Sequence, residues 1–380
     1  MEIRFASIAD GATCNWFYNN GHQKRRTLAQ WEWEFVSRDF SQQKLLYVVA
    51  EDQGHIVGTQ ALIPIRMVDG NGVFWTAKSE ETLVSPAYRG QQIFEKMYDL
   101  LKQYAQSSGI RCIWGFTPAT RAFTRIGFET PGKTSQVFFP FSGDAITVLL
   151  NRQAGDDKGN RPSRISRMAY RIAGTVAGSV SSLRFKLTSS AAFTGSQEDS
   201  RTGLHFRLLT GAPAEAGEAC RSFVHQWGGC TILRDTAYLQ WRLFDNPYVR
   251  ALFWGAYVGN QLCGWVAYAL GDDGMGYLVD MIAVDRERLR VPAREIVKGL
   301  LSTAVNDLRQ MGALGMRGWH VNNHQFDKLV LREAKALGFW HIKRGHDVVV
   351  LYVPGSATEA GPADFQQWFV TRIYTEGLLG

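Results

Sequence analysis

Apolar residues recur at every second position in some stretches of the chain and at every third or fourth in others, and the two rhythms appear twice in the same order. The segment KLLYVVAEDQGHIVGTQALIPI reads as two strands joined at Asp52-Gln53-Gly54, and ALFWGAYVGNQLCGWVAYAL as two joined at Val258-Gly259-Asn260. An aromatic-rich helical stretch precedes each hairpin: TLAQWEWEFVSRDF in the first half, DTAYLQWRLFDNP in the second. After each hairpin the pattern predicts a strand, a long helix, a short strand and a helix ending in Gly-Phe. These are SEETLV, QQIFEKMYDLLKQYAQ, IRCIWGF and PATRAFTRIGF in the first half. In the second they are YLVDMIAV, PAREIVKGLLSTAVNDLRQ, LGMRGW and HQFDKLVLREAKALGF. A period of roughly 200 residues marks a duplicated domain, being far too long for a solenoid repeat. The fold class expected is α/β, each half a mixed sheet with the long helix as its crossover. The expected divisions are a first domain at 1–150, a linker at 151–200, a second domain at 201–355 and a C-terminal helix or tail at 356–380.

Composition narrows the function classes. A hydrophobic content of 45% over 380 residues supplies ample core, and 20% charged residues is ordinary for a globular protein. The amino terminus carries no basic stretch leading into an apolar one, and no apolar run approaches the roughly 20 residues of a membrane span. The reading is therefore a soluble, cytoplasmic protein. Five scattered cysteines (Cys14, Cys112, Cys220, Cys230, Cys263) include no CxxC pair, which argues against disulfides and structural zinc. The histidines lack HExxH spacing, so no metal is expected, and nucleic acid is not expected as a partner.

Charge matters by location. Residues 151–190 hold eight basic side chains against Asp156 and Asp157, a net of +6 out of +7 for the whole chain. Within that segment Ile165, Met168, Ile172, Val176, Leu183 and Leu187 fall at helical spacing, predicting a basic amphipathic helix over 164–187. One reading packs that helix on a domain; the other lays it on an anionic membrane at the inner face.

One corner stands out chemically. In LVSPAYRGQQIFEKM, residues 83–97, a strand breaks at Arg89-Gly90 and resumes as a helix. A helix starting at such a corner offers unpaired N–H groups and a positive dipole end, a ready anion site. Arg89 adds charge suited to a pyrophosphate, and Gly90 lets the backbone turn and approach it. Upstream, Glu80 and Glu81 are candidate bases. Strand alternation implies that only one of them faces the cleft, Glu81 being favoured, while solvation or pairing with Lys78 is the competing reading for either. Trp31 and Trp33, two apart on one helix, predict one packed ring and one lining a substrate groove.

LVSPAYRGQQIFEKMYDLL, followed by a strand and FTRIGFE, resembles the core of the Gcn5-related N-acetyltransferase (GNAT) superfamily, whose diphosphate loop reads Arg/Gln-x-x-Gly-x-Gly/Ala. Phe94, the Trp-rich early helix and the tandem second half resemble enhanced-intracellular-survival-type acetyltransferases and GNAT-like proteins of polysaccharide biosynthesis. The resemblance implies two tandem GNAT-like domains joined by the basic linker. It implies acetyl-CoA as co-substrate, with strand backbone offered by Leu83 and Val84 and the phosphates cradled by Arg89, Gly90, Gln91, Gln92, Ile93 and Phe94. The expected acceptor is a small-molecule amine or amino sugar. Gln92 stands where the family usually has glycine. Phe123 stands where many members carry a tyrosine that protonates the leaving thiolate. From the survival-type enzymes comes a further candidate, the chain's own terminus at Gly380. The second half has no such loop and is expected to bind no CoA. A homo-oligomer is left open, as are two rival readings: a Fem-type aminoacyl ligase and a non-catalytic scaffold.

Overall fold

The computed structural model describes residues 1–36, 45–154, 164–189, 202–285, 291–321, 324–343, 345–354 and 364–375. In chain order the first elements are β1 (Glu2–Phe5), α1 (Gly11–His22), α2 (Leu28–Phe35), β2 (Tyr47–Asp52), β3 (His55–Asp69) and β4 (Gly72–Val84). They continue with α3 (Ile93–Ser107), β5 (Cys112–Phe116), α4 (Thr120–Arg125), β6 (Glu129–Lys133), β7 (Ser135–Pro140), α5 (Asp144–Ala154) and α6 (Arg164–Thr188). Next come β8 (Leu204–Leu209), α7 (Ala216–Trp227), β9 (Thr231–Ile232), α8 (Thr236–Leu239), β10 (Leu252–Val258), β11 (Gln261–Leu270) and β12 (Met275–Ala283). The last are α9 (Ala293–Gln310), β13 (Gly315–His320), α10 (Gln325–Leu337), β14 (Trp340–Ile342) and β15 (Asp347–Tyr352).

The α/β class and the tandem layout are those expected from the pattern. The Asp52-Gln53-Gly54 corner joins β2 to β3 with Gln53 at φ 51° and Gly54 at φ 79°, the left-handed pair that a tight hairpin requires. In the first sheet the strands run β1-β2-β3-β4-β5-β15-β6, with β9 against β3. The second runs β8-β10-β11-β12-β13-β7-β14, the same arrangement repeated. In each, one parallel pair sits among antiparallel ones: β4 with β5, and β12 with β13.

Neither unit is contiguous in sequence. The first comprises Met1–Lys133, Cys230–Leu233 and His346–Gln366; the second Thr134–Gly229, Arg234–Gly345 and Gln367–Gly380. Residues 134–150, expected in the first domain, form β7 and α5 of the second unit. Residues 346–354, expected in the second, supply β15 to the first. Each sheet thus takes its penultimate strand from the other half of the chain.

Burial follows the helical spacing. On α3, Ile93, Met97, Tyr98, Leu101 and Ala105 form the buried face, packed against Val48, Leu62, Ala77 and Ile113 of the sheet and Val349 of β15. The opposite sheet face meets Cys14 of α1 and Trp31 of α2 beside Tyr47, Val49 and Ala61. All five cysteines are buried, and none is in a disulfide. Among the described residues no helix is long and apolar enough to cross a membrane.

Candidate active site

The first unit's site begins where β4 leaves β5. Their pairing is confined to Ala77 with Ile113 and Lys78 with Trp114, so the remainder of β4 runs on without that neighbour. Ser85 N–H donates to Val57 C=O at 2.9 Å, which fixes the alternation: Leu83 pairs toward β3, whereas Val84 turns its peptide groups toward the opened side. Of the two residues expected to offer strand backbone, Leu83 is the one paired with β3 and Val84 the one whose peptide groups face the opened side.

Midway along this free stretch lies a bulge. Glu81 and Thr82 of β4 face the single residue Gln60 of β3, and Glu81 takes φ 55°, a left-handed conformation. The β3 side chains fill the broken ladder: Thr59 Oγ1 donates to Glu81 C=O at 3.1 Å and Gln60 Nε2 to Glu80 C=O at 3.1 Å. Because the bulge resets alternation, Glu80 and Glu81 point to the same face, that of α1 and α2. Strand periodicity had allowed only one of them there. Their surroundings differ. Glu81 is ion-paired with Arg26 and accepts from the Tyr47 hydroxyl, its side chain fully buried, with Glu34 Oε2 3.6 Å from Arg26. Burial, and then the Glu81 charge, push the Tyr47 hydroxyl well above its ordinary pKa. Glu80 pairs with Lys78 and keeps 13% of its side chain exposed. The carboxylate favoured from the sequence is thus sealed in an ion cluster, and its neighbour retains solvent access.

On the α3 face lies a polar network that sequence reasoning missed. Tyr98, on the buried face of α3, places its hydroxyl 2.6 Å from Ser79 Oγ; Gln60 Nε2 donates to Ser79 Oγ at 3.2 Å, and Thr82 donates to Gln60. Burial raises the Tyr98 pKa, so its hydroxyl stays protonated. Phe123 is buried with its ring edge-on to Tyr98 at 5.6 Å. Phe94 packs on both, at 4.9 Å and 5.4 Å, so it contributes a side chain to the core and only a backbone N–H to the corner.

At the corner itself, Gly90 takes φ 85° with open space where a Cβ would stand, and Arg89 is exposed, its Nε 3.4 Å from Val84 C=O. Gln92 adopts φ 59°, the conformation natural to the glycine it replaces, and holds its side chain outward in solvent with that of Gln91. Backbone N–H groups of residues 90–94 have no acceptor among the described residues; those of Ile93 and Phe94 open α3, and the other three lie in the turn that leads into it. Glu95, the acid in that first turn, is tied to Arg125 at 3.3 Å. Ile93 is buried and anchors the turn. The arrangement is a donor-lined, cationic corner beside an opened strand.

The second unit shows what closes such a site. Its corresponding corner leads into α9 from Pro292, which has no N–H, and Ala293 N–H is taken by the Asp285 carboxylate. Where β12 leaves β13, the chain's own segment fills the opening. Thr371 Oγ1 donates to Asp280 at 2.7 Å, and Arg372 lies over the rings of Tyr277 and Trp319 at 4.8 Å and 5.2 Å. Asp280 is further held by Arg234 at 2.9 Å and Trp265 at 2.9 Å. Gly380 lies outside the described residues. Trp31 and Trp33 are both buried, so neither lines an open groove. No group of three or more metal-ligating side chains occurs among the described residues.

A donor-lined cationic corner before a helix, a strand splay and a bulged central strand thus lie together in the first unit. Residues 6–128 match the family described as Acetyltransferase (GNAT) family. Solved structures share the fold across nearly its whole length. A GCN5-related N-acetyltransferase from Anabaena variabilis is 12% identical with a TM-score of 0.59, covering 93% of this chain and 72% of that one. A probable N-acyltransferase from Enterococcus faecalis is 8% identical, TM-score 0.56, with coverage of 93% and 72%. Eis1 from Mycobacterium abscessus is 14% identical, TM-score 0.51, with coverage of 93% and 74%. No curated protein matches the sequence.

Proposed function

We propose that this protein transfers an acetyl or similar acyl group from acyl-CoA to an amine, with chemistry confined to the first unit. The observation that carries this reading is the run of unpartnered N–H groups at residues 90–94 beside Arg89, opening on the free edge of β4. The diphosphate of CoA fits that corner: backbone donors and the helix dipole favour dianionic charge, and Arg89 adds a charge-assisted contact. From there the pantetheine arm runs along Val84 toward the bulge at Glu81 and Thr82, where the thioester comes to rest.

Attack by an amine on the thioester carbon needs the amine neutral and the developing oxyanion stabilised. Glu80 is the carboxylate placed to take the amine proton, directly or through water, since it shares the α1–α2 face with the bulge and retains exposure. Glu81 acts through its backbone, holding the bulge in shape. As the C–S bond breaks, the thiolate needs a proton that Phe123 cannot give; the protonated Tyr98 hydroxyl reaches β4 at Ser79 from the same side. In the second unit the Asp285 carboxylate and the inserted 367–375 segment occupy the equivalent positions, which supports a single CoA per chain.

For the acceptor, an amino sugar such as occurs in surface-polysaccharide precursors is the first class to test. The Trp16 ring on α1 is 64% exposed and offers the flat apolar face on which sugar rings stack. The test is acceptor-dependent release of CoA thiol from acetyl-CoA across a panel of amino sugars, diamines and amino acids. At least one amine should drive release, and Glu80→Gln should slow it by about 100-fold without changing the unfolding midpoint. Thiol release that Glu80→Gln leaves untouched would remove Glu80 from the chemistry. Binding of charged tRNA in place of acetyl-CoA would favour the ligase reading.

A further inference from the structure

Helix α6 shows two opposed faces, and among the described residues only one of them has a partner. Gly174, Gly178, Ser181 and Phe185 are buried on the body of the second unit. The two small residues permit backbone contact there, since a Cβ on Gly174 would meet Gly143 C=O at 2.5 Å. Ser181 Oγ donates to Gly338 C=O at 2.8 Å, and Phe185 packs edge-on to Phe139 at 6.0 Å. At about 100° per residue the opposite side of the helix carries Met168, Ile172, Val176, Val180, Leu183 and Leu187. These are between 44% and 77% exposed. Scattered apolar side chains need no explanation, but six in an unbroken stripe along roughly 28 Å of helix do.

Charge identifies what covers the stripe. The helix carries Arg164, Arg167, Arg171, Arg184 and Lys186 and no acidic residue. Arg171 is tied to Asp144 at 2.8 Å, while Arg184 and Lys186 are exposed and fall on the two sides of the stripe by helical rotation. A second copy of this helix laid against the first would bring like charges together with no acid between them. Anionic lipid fits instead: aliphatic side chains enter the acyl boundary, and flanking basic groups reach phosphate at the headgroup level.

We propose that α6 is a membrane-surface anchor, lying flat on an anionic bilayer with the Met168–Leu187 stripe inserted and Arg184 and Lys186 on headgroup phosphates. The test is co-sedimentation of the full chain with phosphatidylcholine vesicles and with vesicles of phosphatidylcholine and phosphatidylglycerol in equal parts, at low and high salt. The parent should sediment with the anionic vesicles only, and less at high salt. A quadruple variant, Met168→Gln, Ile172→Gln, Val176→Gln and Leu183→Gln, leaves the buried face intact. It should lose on the order of tenfold in apparent affinity while keeping the parent's thermal midpoint. Arg184→Glu with Lys186→Glu should remove the preference for anionic lipid. A parent that stays in the supernatant overturns the proposal, and so does a quadruple variant that binds as the parent does. A parent that ignores vesicles but sizes as a dimer, dissociated by the quadruple variant, would overturn it in favour of a second copy.

Discussion

Replacing Arg26 with methionine is expected to cost the protein about 3–5 kcal/mol of stability, read as a lower denaturation midpoint at constant slope. Arg26 is a cation of a cluster in which its own side chain is 2% exposed and those of Glu34 and Glu81 are wholly buried. Its Nε donates to Asn15 Oδ1 at 2.8 Å and its guanidinium lies over the Tyr18 ring at 4.0 Å, so the group is fixed by α1 as well. Without it two buried carboxylates lose the counter-charge that Arg26 supplies, and the loss is that of charge compensation rather than of one contact. The consequence reaches the site. Glu81 sits in a left-handed backbone conformation that costs a side-chain-bearing residue roughly 1 kcal/mol or more, and the Arg26 and Tyr47 contacts hold it there. Acyl transfer by Arg26→Met should therefore fall further than the folded fraction accounts for. A loss below about 1 kcal/mol would mean that water reaches the cluster and that the bulge is shaped by something else.

A fragment of residues 1–150 is expected not to fold. It contains the GNAT-matched sequence, yet it lacks β15, which lies between β5 and β6 in the first sheet. Val348, Val349 and Val350 of that strand are at most 1% exposed, and the register runs from Val348 opposite Phe116 to Tyr352 opposite Cys112. Removing it strips β5 of its ladder on one side, sets β6 adrift and opens the core below α3. Apolar burial of three such side chains contributes about 1.5–3 kcal/mol each, comparable with the whole stability of a domain. Circular dichroism should show no cooperative thermal transition for the fragment, while the 380-residue chain shows one. Adding back a peptide of residues 346–354 is the rescue to try. A cooperative transition in the fragment alone would show that the first sheet closes without its exchanged strand.

Much of this was legible in the chain. The paired hairpins, the α3 stripe and the Arg89-Gly90 corner follow from side-chain period and turn chemistry, which are local. The long β3–β4 hairpin was not read, although Asp69-Gly70-Asn71-Gly72 carries its turn chemistry, and the strand SEETLV was read without its first half because buried strands lose their alternation. The exchange of β7 and β15 was not legible, since periodicity fixes what an element is and not which sheet receives it. Glu80 and Glu81 were found, but their roles turned on a bulge; one residue in a left-handed conformation undoes the alternation argument, and nothing in Ser-Glu-Glu-Thr announces it. Arg26 drew no notice because a lone arginine before a helix is ordinarily solvated. Gln92 was noticed as a departure, and its φ of 59° shows how the backbone accommodates it: the residue keeps the conformation natural to glycine, with its side chain exposed.

The central claim is that acyl-CoA binds once per chain, on the corner from Arg89 to the first turn of α3. Calorimetric titration of acetyl-CoA into the parent protein and into Arg89→Glu tests it most directly. The account predicts saturable binding to the parent with one site per chain, and an affinity lower by about 100-fold or more in the variant, where a carboxylate faces the diphosphate. Two sites per chain, or equal affinity in both proteins, would contradict it and move the cofactor away from this corner.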